Sequence, residues 1–281
     1  MSGMGREDRI RLRDSLLAEA RARPLIMGIL NVTPDSFSDG GKFDEAGAAL
    51  AHAEAMVAAG ADILDVGGES TRPGAAPVSE ADELARTVSV VEALAGPGRV
   101  PVSIDTYKSG VAKAATAAGA VIVNDVSAMS DPTIVGVAAD AGAAYVLTYN
   151  RGVKDGALDA SADMLAFFEA AIVRCEGEGL KRAHIILDPG VGFAKTYAQN
   201  FEVLAATSDL VSLGLPVLIG VSRKSFIGKR LGIEVAAERD AASVAVGLDS
   251  LRRGAHMLRV HDVAAHRQAI ELWETIDNAA H

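Results

Sequence analysis

The chain has 281 residues, 49% of them hydrophobic but only 4% aromatic, and a formal net charge of −10. That length and an Ala-, Val- and Gly-rich make-up suit one large α/β domain with small side chains at its helix–sheet contacts. The negative charge excludes a global attraction to nucleic acid or to an anionic membrane, so an anionic substrate would need cations gathered locally. The single cysteine, Cys175, excludes an intrachain disulfide and fits a reducing cytoplasm. It falls in a helical segment that no strand end or Gly-rich turn presents, which reads as an inert thiol. Met1 to Arg13 is polar and mixed in charge, without a signal-type apolar core, and no apolar run is long enough to span a bilayer.

Taken in order, Arg6 to Ala22 carries Leu12, Leu16 and Leu17 on one helical face and ends before Pro24. It reads as an N-terminal helical extension over residues 1–23, ahead of a single domain over 24–281. Leu25 to Leu30 is the first strand, ending on Asn31 and a long polar loop. Ala46 to Ala59 is helical and Gly60 closes it. Ile63 to Val66 is the second strand, opening into a Gly-rich loop. Ser79 caps a helix that runs to about Leu94, with Asp82 three residues on. Val100 to Ile104 ends on Asp105, and a helix follows over Lys108 to Ala118. Ala120 to Val123 ends on Asn124, and Asp131-Pro132 opens the next helix. Ala143 to Leu147 ends on Thr148, before a long helix over Ala162 to Leu180. Ile185 to Leu187 ends on Asp188 and a loop with Gly190 and Gly192. Asn200 to Ser208 is helical. Pro216 to Ile219 runs into Gly220-Val221-Ser222-Arg223-Lys224-Ser225. Asp240 to Leu251 is helical, Ala255 to Leu258 ends at Arg259-Val260-His261, and Val263 to Ile276 is the last helix.

Strict alternation of strand and helix argues for a parallel sheet. Eight such units over this length match an α/β fold of the (β/α)8 TIM-barrel class with an extra N-terminal helix, where about 250 residues is usual. A doubly wound open sheet is the alternative, and it lacks the Gly-x-Gly-x-x-Gly turn after the first strand.

In such a barrel the site lies at the C-terminal ends of the strands. Those positions hold Asn31, Asp65, Arg72, Asp105, Asn124, Thr148, Asp188, Lys224, Arg259 and His261. Each alone reads equally well as a turn former, a helix cap or a solvated charge. Asp65, inside the second strand, is the weakest member and reads as a brace for the loops. Together, Asp105, Asn124 and Asp188 present carboxylates and an amide suited to a flat heterocycle rich in N–H and C=O groups. Arg72, Arg259 and His261 suit a phosphate or diphosphate. Asn31 is a neutral oxygen able to help hold Mg2+ on a diphosphate.

The sequence resembles the dihydropteroate synthase family. The matching segments are Met27 to Gly41 (Met-Gly-Ile-Leu-Asn-Val-Thr-Pro-Asp-Ser-Phe-Ser-Asp-Gly-Gly) and Asp65 to Gly74 (Asp-Val-Gly-Gly-Glu-Ser-Thr-Arg-Pro-Gly), both long and specific. Ile104 to Lys108, Asn124 to Ser127, Asp188 to Phe193, Gly220 to Ser225 and Arg259 to Asp262 follow in family order. The resemblance implies a (β/α)8 barrel, active as a cytoplasmic homodimer in folate biosynthesis. Its reaction joins 7,8-dihydropterin-6-ylmethyl diphosphate to 4-aminobenzoate, and its aminobenzoate pocket is the target of sulfonamides. Carried to matching positions, Asp105, Asn124, Asp188 and Lys224 hold the pterin. Asn31, Arg72, Arg259 and His261 hold the diphosphate, with Mg2+ as cofactor near Asn31. Phe37, Thr71, Pro73, Phe193, Lys224 and Ser225 form the aminobenzoate pocket. Asp105, Asp188, Lys224, Arg259 and His261 carry the catalysis. The implied partners are these small molecules, not nucleic acid or membrane.

One segment departs from the family. After the fifth strand it often reads Met-His-Met-Arg-Gly, whereas this chain has Thr148-Tyr149-Asn150-Arg151-Gly152. The first Met of that motif contacts the pterin face in the family, so the smaller, polar Thr148 implies a weaker grip on pterin. Two other readings share parts of the pattern. A folate-to-corrinoid methyltransferase barrel would share the Asp-Asn-Asp floor without the complete first and second loops. A non-catalytic pterin- or protein-binding barrel would accommodate Thr148-Tyr149.

Overall fold

The computed structural model describes residues 4–33, 42–70, 76–96 and 98–279. Eight parallel strands form a nearly closed barrel: β1 (Leu25–Asn31), β2 (Ile63–Gly67), β3 (Val102–Asp105), β4 (Ile122–Asp125), β5 (Ala144–Thr148), β6 (Ile185–Asp188), β7 (Leu218–Ile219) and β8 (Met257–Val260). The ladder runs β6-β5-β4-β3-β2-β1-β8-β7. The remaining seam, β6 to β7, is held by a single bridge, Leu187 to Val217, with the Leu187 N–H on the Pro216 carbonyl at 2.8 Å. Polar residues that end the apolar runs pair in register, Asp105 beside Asn124 and Thr148 beside Asp188. Their side chains are therefore fixed by the sheet and not by the loops.

Side chains alternate along each strand. One set, which includes Ile26, Leu30, Leu64, Val66, Ile104, Val123, Leu147, Leu187, Ile219 and Leu258, packs outward against the helices. The other set, Leu25, Met27, Ile63, Ile122, Ala144, Val146, Ile186, Leu218 and Met257, fills the barrel interior. The surrounding helices are α2 (Lys42–Ala58), α3 (Glu80–Leu94), α4 (Ser109–Ala118), α5 (Ile134–Ala141), α6 (Ala160–Gly177), α7 (Tyr197–Ala205), α8 (Thr207–Val211), α9 (Ser225–Leu231), α10 (Asp240–Arg252) and α11 (Val263–Ala279). Ser79 caps α3 by accepting from the Asp82 N–H, as the spacing predicts. Helix boundaries differ from the sequence reading at several places, among them α2, which begins at Lys42 and not Ala46, and α6, which spans Ala160–Gly177 and not Ala162 to Leu180; two further differences have a visible cause. The Asp131 carboxylate accepts from Thr133 and from the Ser109 N–H, making a turn that delays α5 to Ile134. The helix expected over Asn200 to Ser208 is two pieces, α7 and α8, the first opened by a Thr196–Gln199 capping box.

The leading helix, α1 (Arg6–Ala22), closes the end of the barrel opposite the strand termini. Leu16, Leu17 and Ala20 join the barrel-lining set in one apolar cluster. Three arginines on one face donate to the last carbonyls around the end of α5: Arg6 to Asp140 (3.1 Å), Arg9 to Ala141 (2.9 Å) and Arg13 to Gly142 (2.9 Å). A helix C-terminus leaves carbonyls without intrahelical donors, and cations satisfy both them and the helix dipole. Arg13 is almost fully buried. Arg13→Ala leaves the Gly142 carbonyl without that donor, a loss of about 1–3 kcal/mol. Thermal unfolding would show it as a Tm lowered by about 2–4 °C per kcal/mol; an unchanged Tm would show that this contact does not hold α1 in place.

Candidate active site

The interior set changes character near the strand C-termini. Continuing the same alternation, Asp65, Asp105, Asn124, Thr148, Asp188 and Arg259 form one polar layer above the apolar one. Gly67 and Gly220 share this direction and leave the floor open. A Cβ at Gly67 would lie 3.7 Å from Asp105 Oδ2, and one at Gly220 would lie 3.7 Å from Asp188 Oδ2.

Arg259 organises this layer. Its Nε donates to Asp65 Oδ2 at 2.6 Å and its Nη2 to Asp105 Oδ2 at 2.6 Å. Asp65 Oδ2 also accepts from Asn124 Nδ2 at 3.0 Å, which fixes the amide so that Asn124 Oδ1 faces the other way. Asp65 is 0% exposed and Asp105 6%. Burial of both charges is offset by the shared guanidinium, which stays protonated because the two carboxylates push its pKa up. Burial raises the Asp105 pKa; Arg259 pulls it down, while Asp65, Glu83 and Asp125 push it further up. Asp105 Oδ1, Asn124 Oδ1, Asp65 Oδ1 and Thr148 Oγ1 are buried and have no hydrogen-bond partner among the described residues. This layer therefore has acceptor capacity left over.

The loop after β6 supplies the next group. Asp188 Oδ1 accepts from the Gly190 N–H at 2.7 Å. Burial raises the Asp188 pKa, against the opposing pull of Lys224, the Gly190 N–H, Lys195 and Arg259. Gly190 is required in two ways. Its φ is +62°, and a Cβ there would stand 2.0 Å from the Tyr149 carbonyl oxygen. Lys224 hydrogen-bonds the Val191 carbonyl through Nζ and lies 4.6 Å from the centroid of the Phe193 ring. Burial pushes the Lys224 amine down to about 8, with Asp188 and Asp105 opposing. Lys224 is aimed by its neighbour. Arg223 takes a left-handed φ of 60° and pairs with Asp240 at 2.7 Å, and its N–H meets Ser243 Oγ at 3.0 Å. Ser225 begins α9 beside Lys224 and is exposed.

At the end of β8, His261 Nδ1 sits 2.9 Å from Ser222 Oγ, which also accepts from the His261 backbone N–H at 3.1 Å. The base of the second loop is tied down. Glu69 accepts from Tyr107 Oη at 3.0 Å and pairs with Lys108, which also pairs with the buried Glu83. The expectations for Phe37, Thr71, Arg72 and Pro73 fall on residues outside the described ones. Asn31 ends β1 with its Oδ1 3.8 Å from the place a Gly67 Cβ would occupy, on the Asp105 side of the mouth. No group of three or more His, Cys, Asp or Glu able to hold a metal occurs among the described residues. A lone amide oxygen would fit only an ion that keeps its waters and takes its other oxygens from a bound ligand, as Mg2+ does.

The structure thus brings Asp105, Asn124, Asp188 and Arg259 into one layer, sets Lys224 and Phe193 against each other beside it, and puts His261 and Asn31 at its rim. Three participants went unassigned or underweighted in the sequence. Asp65 is the partner that Arg259 and Asn124 share; its signal was the two-residue step from the barrel-lining Ile63. Ser222 and Lys195 carried no such signal, because their partners are distant in sequence or are backbone carbonyls. Tyr149, whose place in the departing segment raised the question of pterin binding, turns outward instead. Its hydroxyl donates to Asp163 of α6, and its ring packs on Phe167 and Phe168.

A parallel barrel whose mouth joins buried carboxylates and an amide to rimmed cations is a small-molecule enzyme site. The chain belongs to the family of pterin binding enzymes, whose model matches residues 27–261. Its similarity within that family is to dihydropteroate synthases. The dihydropteroate synthase of Bacillus subtilis (strain 168) is 46% identical over 246 residues, 86% of this chain and 85% of that one. The structure of Xanthomonas albilineans dihydropteroate synthase with 4-aminobenzoic acid superposes with a TM-score of 0.87 at 44% identity, over 91% of this chain and 93% of that one. The same enzyme in complex with 7,8-dihydropteroate gives a TM-score of 0.84 at 41% identity, over 91% and 94%.

Proposed function

We propose that this mouth joins 7,8-dihydropterin-6-ylmethyl diphosphate to 4-aminobenzoate, releasing 7,8-dihydropteroate and diphosphate. The observation that carries the reading is the surplus of buried acceptors, Asp105 Oδ1 and Asn124 Oδ1 among them, in a layer where the Asn124 amide and the Arg259 Nε and Nη2 are already committed as donors. A buried acceptor without a donor is costly, and the N–H-rich edge of a pterin supplies donors. Asp105, Asn124 and Asp188 take that edge, and Lys224 donates to its carbonyl side. Thr148 lies in the same layer, where its small side chain covers less of the pterin face than a methionine would.

The C–O bond between the pterin methylene and the diphosphate breaks first, and its electron pair leaves with the diphosphate. The methylene then carries positive charge, which the carboxylates of Asp105 and Asp188 stabilise. Arg259, His261 and Arg72 meet the oxygens of the departing anion. Asn31 would hold a Mg2+ ion here, and when bound that ion would supply further charge neutralisation on the leaving group. The aryl amine nitrogen then forms the new C–N bond and gives up a proton to solvent. Phe37, Thr71, Pro73, Phe193, Lys224 and Ser225 hold the aminobenzoate for this attack. Water reaching the cation would end the reaction as an alcohol, so the first and second loops serve to exclude it.

Purified protein supplied with both substrates and Mg2+ should release diphosphate and form dihydropteroate together. Diphosphate release without dihydropteroate, or neither product, would contradict the reading. A second expectation concerns pH. Lys224 titrates at about 8, so its charge is present below that pH and lost above it. The kcat/KM for the pterin diphosphate reports the free enzyme and should fall as pH rises through about 8. Arg stays protonated throughout that range, so Lys224→Arg should move this alkaline limb upward. An alkaline limb at the same pH in the variant would assign the titration to another group.

A further inference from the structure

Lys195 ends the loop after β6 and is 6% exposed. It forms no ion pair among the described residues. Its Nζ instead donates to three backbone carbonyls, Tyr149 at 2.9 Å, Gly190 at 2.8 Å and Phe193 at 3.2 Å, and sits 4.2 Å from the centroid of the Tyr149 ring. An ammonium has three N–H donors, and this geometry uses all of them. Burying a lysine among neutral carbonyls costs desolvation that an apolar residue would avoid, and its pKa falls to about 7 as a result. The loop it closes is also strained. Gly190, Gly192 and Ala194 have φ values of 62°, 88° and 44°, and alanine does not favour that region.

This loop carries three groups of the proposed site. It gives Asp188 its N–H partner at Gly190, turns the Val191 carbonyl toward Lys224, and sets the Phe193 ring under the same amine. The Gly190 carbonyl is shared between the Lys195 amine and the Phe193 N–H. The Tyr149 carbonyl ties the assembly to the loop after β5. We propose that Lys195 is a positioning residue: by gathering the Tyr149, Gly190 and Phe193 carbonyls on one ammonium, it sets the loop that aims Phe193 at the aminobenzoate and steadies Lys224 and Asp188 at the pterin. This rests on the division of substrates proposed above. Burial raises the Asp188 pKa, and the nearby Lys195 amine is one of the groups that oppose that rise.

The test is steady-state kinetics on the full chain, wild type beside Lys195→Met and Lys195→Gln. Met fills the volume without donors; Gln restores two N–H groups without charge. Lys195→Met should raise the KM for 4-aminobenzoate at least about fivefold, with a smaller fall in kcat, because a displaced ring loses binding before it loses chemistry. Lys195→Gln should recover part of that KM change. A purely structural lysine would lower the Tm and the yield of folded protein while leaving both constants per active site unchanged, and that result overturns the proposal. Failure of both variants to fold also overturns it, since Lys195 would then be a requirement of folding and not of site geometry. A wild type that makes no dihydropteroate defeats the functional reading itself. An active wild type with unaltered constants in the variants defeats only the role of Lys195.

Discussion

The guanidinium of Arg259, itself only partly buried, is held between the buried carboxylates of Asp65 and Asp105. Charges in such a setting are tolerated only when paired and hydrogen-bonded, because desolvation otherwise exceeds any Coulombic gain. Here two carboxylates share one cation, and each keeps a buried oxygen without a donor. That surplus of acceptors defines what the mouth accepts. It favours a ligand that offers N–H donors and develops positive charge, and it disfavours a phosphate at the same depth. On the proposed reading the anionic leaving group stays at the rim, beside His261, so that electrostatics separates the two ends of one substrate. A chain of net charge −10 can thus handle a diphosphate without any global attraction to it.

The barrel makes this arrangement possible because register and direction are set together. Strand alternation places one side chain in two on the interior, and parallel pairing sets Asp105 beside Asn124 and Thr148 beside Asp188. The apolar interior below and α1 beneath it make a fixed floor, so the polar layer does not sink or open. The least tightly laddered seam, between β6 and β7, falls between the strands that lead to Asp188 and Lys224. Those two groups are accordingly the ones that rely on loop contacts, through Gly190, Val191, Arg223 and Lys195, where Asp65, Asp105 and Asn124 rely on the sheet.

Much of this was legible in the sequence. Alternating strands and helices pointed to the barrel, and the polar ends of apolar runs pointed to its mouth. Asp65 was undervalued because a carboxylate inside a strand looks like a brace. Counting by twos from Ile63 puts it in the interior with Asp105 and Asn124, where it holds Arg259. Arg259 itself reads from sequence as a phosphate ligand; two of its donors are in fact committed to carboxylates, leaving the remaining N–H groups to face outward. Ser222 and Lys195 were not legible. A hydroxyl that meets a histidine 39 residues away, or an amine that collects backbone carbonyls, leaves no pattern in composition or spacing. Tyr149, also in the departing segment, packs against α6 and away from the mouth.

Asp65, Arg259 and Asp105 form one hydrogen-bonded unit in the floor of the mouth. A double-mutant cycle tests it most directly. Calorimetry would measure affinity for 7,8-dihydropterin-6-ylmethyl diphosphate in the wild type, Asp65→Asn, Arg259→Met and the double variant. Residues in one salt-bridge network couple by about 0.5–3 kcal/mol, so the double variant should bind little worse than the weaker single one. Losses that add to within about 0.5 kcal/mol would mean that the two residues act independently, and would contradict the account.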